Sequence, residues 1–529
     1  MDAALRGIVC AGFGCATTDE RDAQTAAVPQ MCSSPPSGTA PFAVGSAAGE
    51  VHRKENLNAS QRNALLAGIS QRLTLVQGPP GTGKTHTAIS LISLWLRSGQ
   101  GPVLATSDSN IAVDNLVGGL AAAGMAVVRV GRPESVRSDL LPHMLESQAA
   151  RQADRSDREA FHHAQVAALR RAQVVCATCS GAGSEMLGKL TFPSVLLDEA
   201  SQATEPSTLV PLVRGARQVA LVGDHCQLPP TIISRDAELG GLNVSLFDHL
   251  VAAGVHPHLL DTQYRMHPAL AAFPSKAFYS GMLRSGVEPA ARKAPRGFHW
   301  PVEGAPLAFV PCSHGWERKD GSSYENHAEA EEVARIVQNF LAAGELTEGD
   351  IGIVTPYAGQ VRVLRRILRV PRGADQPGVP RLEVSSVDGF QGREKELIVF
   401  SAVRSNLSGA VGFLADARRV NVMLTRARRG LVVVGSEATL SQEPTVWGPW
   451  LAWASACGLV AGRAATDPAA AAAVHAGDWA GATANVPAVW MRHGSVPTRD
   501  AEHVQAAPCR SIVGSHSSSN LVMSSYSAL

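Results

Sequence analysis

The stretch QGPPGTGKT (77–85) decides how this chain is read. It follows an apolar run, LTLVQ (73–77), and opens a helical pattern, THTAISLISLWLRS (85–98). Strand, glycine-rich loop and helix in that order separate a real phosphate loop from a chance match to GxxxxGK[ST]. Gly78, Gly81 and Gly83, with Pro79, Pro80 and Thr82 between them, let the backbone curl so that its N–H groups face phosphate oxygens. Lys84 adds a compact positive charge, and it is one of only seven lysines among 47 basic residues. Thr85 offers its hydroxyl to Mg²⁺. The motif predicts a nucleoside triphosphate site.

A second signal lies downstream, in LLDEASQ (196–202), where an apolar run ends on adjacent carboxylates. Asp198 suits a Mg²⁺ held through water, and Glu199 suits polarising the attacking water. Alone, the pair would equally suit a helix cap followed by a first-turn acid. Together with the phosphate loop it predicts triphosphate hydrolysis.

Similar apolar runs recur along the chain: VLAT (103–106), SVLLD (194–198), QVALVGD (218–224), IGIVTP (351–356), ELIVFSAV (396–403) and LVVVG (431–435). Short Val, Leu and Ile runs bounded by Gly, Pro, Asp or Ser predict strands buried on both faces of parallel sheets. They fall in two groups, which predicts an α/β fold of two tandem domains, 51–252 and 253–462. Residues 132–172, with mixed charge and few aliphatics, read as a helical insertion in the first domain; its His162 and His163 read as exposed. Residues 1–50, rich in Ala, Gly, Ser and Pro, read as a disordered leader, and 463–529 as a low-complexity, weakly ordered tail.

Composition sets the outer limits. A chain of 529 residues exceeds one ordinary domain, and its 45% hydrophobic content excludes wholesale disorder. With 47 Lys+Arg against 46 Asp+Glu it is no polycation, so any nucleic acid must be held by local contacts. Nine scattered cysteines do not make a disulfide framework, and Cys176 with Cys179 lacks a second pair at zinc spacing. No apolar run is long enough to span a membrane. A reducing compartment, the cytoplasm or the nucleus, is expected.

Other motifs indicate what the hydrolysis serves. LNASQRNAL (57–65) places Gln61 just upstream of the phosphate loop, and GDHCQLPPT (223–231) places Gln227 after a strand, suited to sensing the γ-phosphate. DTQYRMHPAL (261–270) offers Tyr264 and Arg265; SSVDGFQGREKELIVFSAVRSN (385–406) and RRVNVMLTRARRGLVVVG (418–435) complete the series. From about Leu57 to Val460 the chain resembles superfamily 1 helicases, and DEASQATEP (198–206), GDHCQLPP (223–230), QYRMHPALAAFPS (263–275) and TPYAGQ (355–360) resemble the up-frameshift group, the regulators of nonsense transcripts.

The resemblance implies two RecA-like domains and an ATP-dependent helicase or translocase moving 5′ to 3′ on single-stranded RNA or DNA. It implies that Gln61 hydrogen-bonds adenine, Tyr264 stacks on it and Glu394 meets the ribose. Lys84, Thr85, Asp198, Glu199 and Gln227 are implied to hold ATP–Mg²⁺ and the water, while Arg265 and Arg426 reach the γ-phosphate. Ser109, Asn110, Thr178, Ser180, Pro230, Thr231, Thr355, Tyr357 and Gln360 match positions that contact the nucleic-acid backbone. A monomer is expected, with mRNA-decay or ribonucleoprotein factors as partners. A helicase of another pathway, or an ATP-gated ribonucleoprotein clamp without processive unwinding, are the alternatives. Where the group has APSN this chain has SDSN, so Asp108 puts an acid beside the expected phosphate track. The 56 residues before Leu57 are too few for the group's zinc module and β-barrel insertion, and no zinc is expected. The basic stretch VRVLRRILRVPR (361–372) reads as an amphipathic helix packed on the second domain.

Overall fold

The computed structural model describes residues 5–8, 27–35, 48–51, 56–370 and 381–489. The first sheet is built from β1 (Leu73–Gln77), β2 (Val103–Ser107), β3 (Val127–Arg129), β4 (Val174–Thr178), β5 (Ser194–Asp198), β6 (Gln218–Gly223) and β7 (His258–Leu259). All pairings are parallel, in the order β3-β4-β2-β5-β6-β1-β7. Strands β1, β2, β5 and β6 are buried at every residue, as continuous Val and Leu runs covered on both faces require. Helices α1 (Ala59–Ser70), α2 (Lys84–Arg97) and α3 (Asn110–Ala122) cover this sheet, and α4 (Arg158–Arg171) closes the insertion. In that insertion 3₁₀ turns precede α4, whose His162 and His163 are exposed.

Two short strands, β8 (Thr262–Gln263) and β9 (Arg284–Ser285), pair in parallel around α5 (Pro268–Tyr279). The second sheet then comprises β10 (Leu307–Pro311), β13 (Ile351–Thr355), β14 (Glu383–Ser386), β15 (Lys395–Ser401) and β16 (Ala427–Gly435), with a hairpin of β11 (Arg318–Asp320) and β12 (Ser323–Glu325) set apart. Its order is β10-β16-β15-β13-β14, again all parallel. Helices α6 (His327–Ala342), α7 (Ala358–Ile367), α8 (Ala417–Leu424) and α9 (Trp447–Ala456) pack on it. α7 is the basic stretch: Val363 and Leu364 are buried, Arg362 pairs with Asp320, and Arg365 donates to the Val384 carbonyl at 2.8 Å. Residues 371 and 372 of that stretch lie outside the described residues.

Three expectations differ from the structure. The first sheet continues past residue 252, because β7 pairs Val76 with His258 and Gln77 with Leu259. Within the expected leader, Leu5, Ile8, Val28 and Cys32 are buried in the first domain's core, and Arg72 donates its backbone N–H to Ser34 at 2.8 Å. The rest of 1–50 lies outside the described residues.

The expected tail differs most. Helices α10 (Pro468–His475) and α11 (Trp479–Ala482) follow residue 463. Asp467 caps α10 by accepting from Ala469 at 2.8 Å, Pro468 occupies the first turn, and the alanines that follow are the best helix formers. Val474, Ala482, Val486 and Val489 are buried in the second domain's core. Trp453 Nε1 donates to the Ala482 carbonyl at 3.1 Å, and Val489 N donates to that of Ala277 at 2.8 Å. Residues 490–529 of the expected tail lie outside the described residues. Among the described residues no helix is long and apolar enough to cross a membrane.

Candidate ATP site and nucleic-acid interface

Sheet register assembles the site. Gln77 sits opposite Gly223, and Asp198 opposite Val222, so β1, β5 and β6 end together. What leaves those ends is the phosphate loop, the Asp198–Glu199 pair and the Asp224–Gln227 turn. Ligands of open parallel sheets bind at these carboxyl ends. A cleft of about 550 Å³ lies there, lined by residues 79–86 and by Asp198, Glu199 and Gln227 from one side. The other side brings Tyr264, Arg265, Asp388, Glu394, Arg426 and Arg428.

Lys84 Nζ donates to the Gly78 carbonyl at 2.8 Å and lies 3.8 Å from Glu199 Oε1. A side chain on Gly78 would fall 2.0 Å from Lys84 Cγ, so the loop is closed tightly around this ammonium. Thr85 Oγ1 reaches Asp198 Oδ2 at 3.5 Å. Burial and the adjacent Glu199 push the Asp198 carboxyl up to about 7, while Lys84 pulls it back. Hydroxyl and carboxylate meeting at the start of α2 form an oxygen donor set suited to Mg²⁺ beside a polyphosphate. Glu199 takes a left-handed backbone, φ +52°, and its Oε2 accepts from Gln202 Nε2 at 2.8 Å. Strain at such a residue is retained where position matters.

Gln227 donates its amide to Asp224 Oδ2 at 2.6 Å and accepts from Arg426 Nη2 at 3.1 Å. Arg426 is buried, and burial with the neighbouring Arg265 brings its guanidinium down to about 9. Arg265 is ion-paired with Glu394 and donates to the Thr425 carbonyl at 3.0 Å. Tyr264 is 41% exposed, lines the cleft, and accepts from Asn58 Nδ2 through its hydroxyl at 2.9 Å. The structure thus brings together Lys84, Thr85, Asp198, Glu199, Gln227, Tyr264, Arg265, Glu394 and Arg426.

Gln61 is a correction: it does not line the cleft. Its amide donates to the Thr82 carbonyl at 3.1 Å and its oxygen accepts from Asn58 N at 3.1 Å, completing a capping box for α1. One amide hydrogen is spent on the loop's backbone and the oxygen on the helix end, and the side chain is buried rather than turned into the cleft.

The expected nucleic-acid contacts divide in two. On the first domain Ser109 is exposed and caps α3 by accepting from Ala112 N at 3.2 Å, while Asn110 accepts from buried Arg129 at 2.7 Å. Ser180 and Thr231 are exposed; Thr178 is half-buried, its hydroxyl accepting from Gly181 N at 3.0 Å; Pro230 is buried. Asp108 is exposed and accepts from Ser207 Oγ at 2.8 Å. On the second domain the expectation fails for Thr355, Tyr357 and Gln360, all buried. Gln360 is held by Asn326 N and O at 2.8 and 3.0 Å and by Ser401 at 2.9 Å. Tyr357 donates to the Val411 carbonyl at 3.2 Å and lies beside the Arg404–Glu317 ion pair. Their partners come from residues 317–326 and 401–411, both distant in sequence from 355–360.

Cys176 lies inside β4 and Cys179 just beyond, and burial pushes both thiols up to about 12. Thiols so raised are poor thiolate ligands. Gln202, Asp388 and Arg428 also line the cleft without having been singled out as site residues. For Gln202 the available signal was its spacing, three residues after Glu199.

Two parallel sheets whose loops line one cleft define a tandem RecA-like P-loop protein. Residues 56–166 and 150–235 match one family described as an AAA domain, and residues 242–438 match a second of the same description. The chain is 40% identical over 416 residues to the Regulator of nonsense transcripts 1 homolog of Arabidopsis thaliana, covering 73% of this chain and 33% of that protein. It is 40% identical over 417 residues to the ATP-dependent helicase NAM7 of Saccharomyces cerevisiae, covering 74% and 42%. Among solved structures, an arterivirus nonstructural protein 10 helicase with DNA aligns at 14% identity and TM-score 0.39, over 73% of this chain and 64% of that one. The chain carries a superfamily 1 helicase core like that of the up-frameshift group. It spans between a third and a half of the length of the curated relatives it matches.

Proposed function

We propose that this chain is a nucleic-acid-stimulated ATPase that couples hydrolysis to 5′-to-3′ movement on single-stranded RNA, and on DNA as well, as a helicase motor of nonsense-mediated decay. One observation carries the proposal: Lys84, Asp198, Glu199 and Gln227 of one domain face Arg265 and Arg426 of the other across a single cleft. Lys84 and the loop amides grip the β- and γ-phosphates, with Thr85 and Asp198 holding Mg²⁺. When bound, the ion neutralises phosphate charge. Glu199, fixed by Gln202, takes the proton of the attacking water, and Gln227 orients that water. Arg265 and Arg426 neutralise the transition-state charge only when the second domain closes, which ties hydrolysis to domain movement. Tyr264 and Glu394 border the base and ribose.

On the nucleic-acid side, Ser109, Asn110, Ser180 and Thr231 are the accessible groups of the first domain. They present hydroxyls and a helix N-terminus to backbone phosphates without reading bases. The first domain takes in the described residues up to about 259, Leu5, Ile8, Val28 and Cys32 included, and the second takes in about 260–489, with the cytoplasm as the site of action.

The test is ATP turnover by purified protein with and without poly(U) or poly(dT), together with displacement of 5′- and 3′-tailed duplexes. Stimulated turnover and displacement of 5′-tailed duplexes support the proposal. Equal turnover with and without nucleic acid sinks the motor reading. Turnover without displacement favours the clamp.

A further inference from the structure

Asp224, Cys226 and Gln227 leave β6 of the first sheet, yet Cys226 and Leu228 are buried among the side chains of the second domain's core. Two side chains of the second domain hold this turn there. Tyr279, the last residue of α5, donates its hydroxyl to Asp224 Oδ2 at 2.7 Å. Asn421, in the middle of α8, donates its amide to the same hydroxyl at 2.9 Å and to the Cys226 carbonyl at 2.8 Å. Asp224 is fully buried and its other oxygen accepts from Cys226 N at 3.2 Å and Gln77 at 3.3 Å.

The oxygen that takes the Tyr279 hydroxyl is the one that takes the Gln227 amide. An amide can face either way round, and its neighbours decide which. Asp224 fixes the nitrogen of Gln227 on itself, so that the oxygen points at Arg426. Tyr279 in turn fixes Asp224, and Asn421 fixes Tyr279. Arg426 lies five residues beyond Asn421, just past the end of α8, so one element of the second domain carries both the anchor and the arginine. Asn421 Oδ1 is also buried without a hydrogen-bond partner. An apolar residue would fill a purely structural position at less cost, since an unpaired buried acceptor is destabilising.

We infer that Tyr279 and Asn421 are positioning residues: through Asp224 they set the orientation of Gln227 and lock its turn to the second domain, so that the γ-phosphate site registers domain closure. This deepens the ATPase reading and rests on it. Neither residue lines the cleft, so neither is expected to touch nucleotide.

The test is a double-mutant cycle on the full chain, with ATP turnover measured at saturating poly(U). Tyr279→Phe, which removes only the hydroxyl, is expected to lower kcat about 10- to 100-fold with the KM for ATP within about twofold. In a Gln227→Ala background the same substitution is expected to change kcat by less than about twofold, because the residue it acts through is gone. Asn421→Leu is expected to behave in the same way. Overturning results are an unchanged kcat in Tyr279→Phe, or equal falls in both backgrounds, as a general loss of packing would give. Failure of both variants to fold assigns the pair to the core and refutes positioning. A parent chain with no ATP turnover at all refutes the ATPase reading and the inference with it, whereas normal parent turnover with additive variants refutes the inference alone.

Discussion

Gly81 is where the phosphate loop touches the second domain. Its backbone has φ +75°, and a Cβ built there falls 2.5 Å from Arg265 Cβ and 3.1 Å from Arg265 N. Gly81→Ala therefore carries two separable penalties. The left-handed backbone costs an alanine about 1–2 kcal/mol of stability, which lowers the melting temperature and leaves kcat alone. The overlap is different, since ordinary contact between two such carbons needs about 3.5–4 Å. Arg265 or the loop must give way by about 1 Å, and displacement of a catalytic group by that much costs about 100-fold in rate. The expected outcome is a fall in kcat of about two orders of magnitude. Gly99 supplies the control: its φ is +73°, but nothing lies within 4 Å of a Cβ built there. Gly99→Ala should lower stability by about 1–2 kcal/mol and leave kcat intact. Steady-state ATP turnover with poly(U), alongside thermal denaturation, reads both variants. A kcat for Gly81→Ala within threefold of the parent would refute the contact with Arg265 as a determinant of the chemistry.

Other outcomes follow from single groups. Lys84→Ala and Glu199→Gln should each abolish ATP turnover while leaving the melting temperature within a few degrees, since among the described residues the Lys84 ammonium hydrogen-bonds a loop carbonyl alone and the Glu199 carboxylate Gln202 alone; retained turnover in either would displace it from its role. Burial pushes the Glu329 carboxyl up to about 8, against the donors Ser401 and Val403 N. The native state therefore favours its protonated form, and stability is lost as pH rises from about 4.5 through 8, by about 1.4 kcal/mol per unit. Denaturant melts at pH 6 and 8.5 should show this slope, and Glu329→Gln should flatten it; an unchanged slope in that variant would assign the loss elsewhere. Truncation after residue 462 removes three buried valines, Val474, Val486 and Val489, each contributing about 1.5–3 kcal/mol, so the melting temperature should fall sharply. Arg366→Glu on α7 should leave salt-dependent RNA affinity unchanged within about twofold, and a steeper loss would make that helix part of the nucleic-acid track.

The catalytic constellation was legible because its signals are local. A phosphate loop must follow a buried strand and open a helix, and all three sit within 26 residues of sequence, 73–98. What was not legible depends on distant segments meeting. TPYAGQ supplies the chemical types that grip a nucleic-acid backbone, but the burial of Tyr357 and Gln360 comes from Asn326, Ser401, Arg404 and Glu317. No spacing within 355–360 encodes those partners. Gln61 failed for the opposite reason: Asn58 three residues earlier forms a capping box with it, a local signal that competes for the same amide. The tail was misread by composition. An alanine-rich run after Asp467-Pro468 carries a helix start, and tryptophans on α9 provide the surface on which that helix can be buried.

The site's own pairings bear on how it handles a triphosphate. Lys84 is on a loop carbonyl, Arg265 on Glu394, and Arg426 on Gln227 and the Val422 carbonyl. Each cation that a phosphate would need already has a partner within the protein. Entry of a triphosphate therefore exchanges one set of charge-assisted hydrogen bonds for another, and only the difference appears as affinity. The exchange is unequal across the cleft. Lys84 gives up a neutral carbonyl at 2.8 Å and a looser 3.8 Å ion pair with Glu199, so the first domain takes hold of the phosphates at less cost. Arg265 must leave a carboxylate, and Arg426 must leave a glutamine that Asp224, Tyr279 and Asn421 hold in place. Closure of the second domain is then the expensive step, and a nucleic-acid strand bridging both domains would offset it. That ordering, binding by the first domain and rate control by the second, is how the proposed function would make ATP turnover respond to nucleic acid.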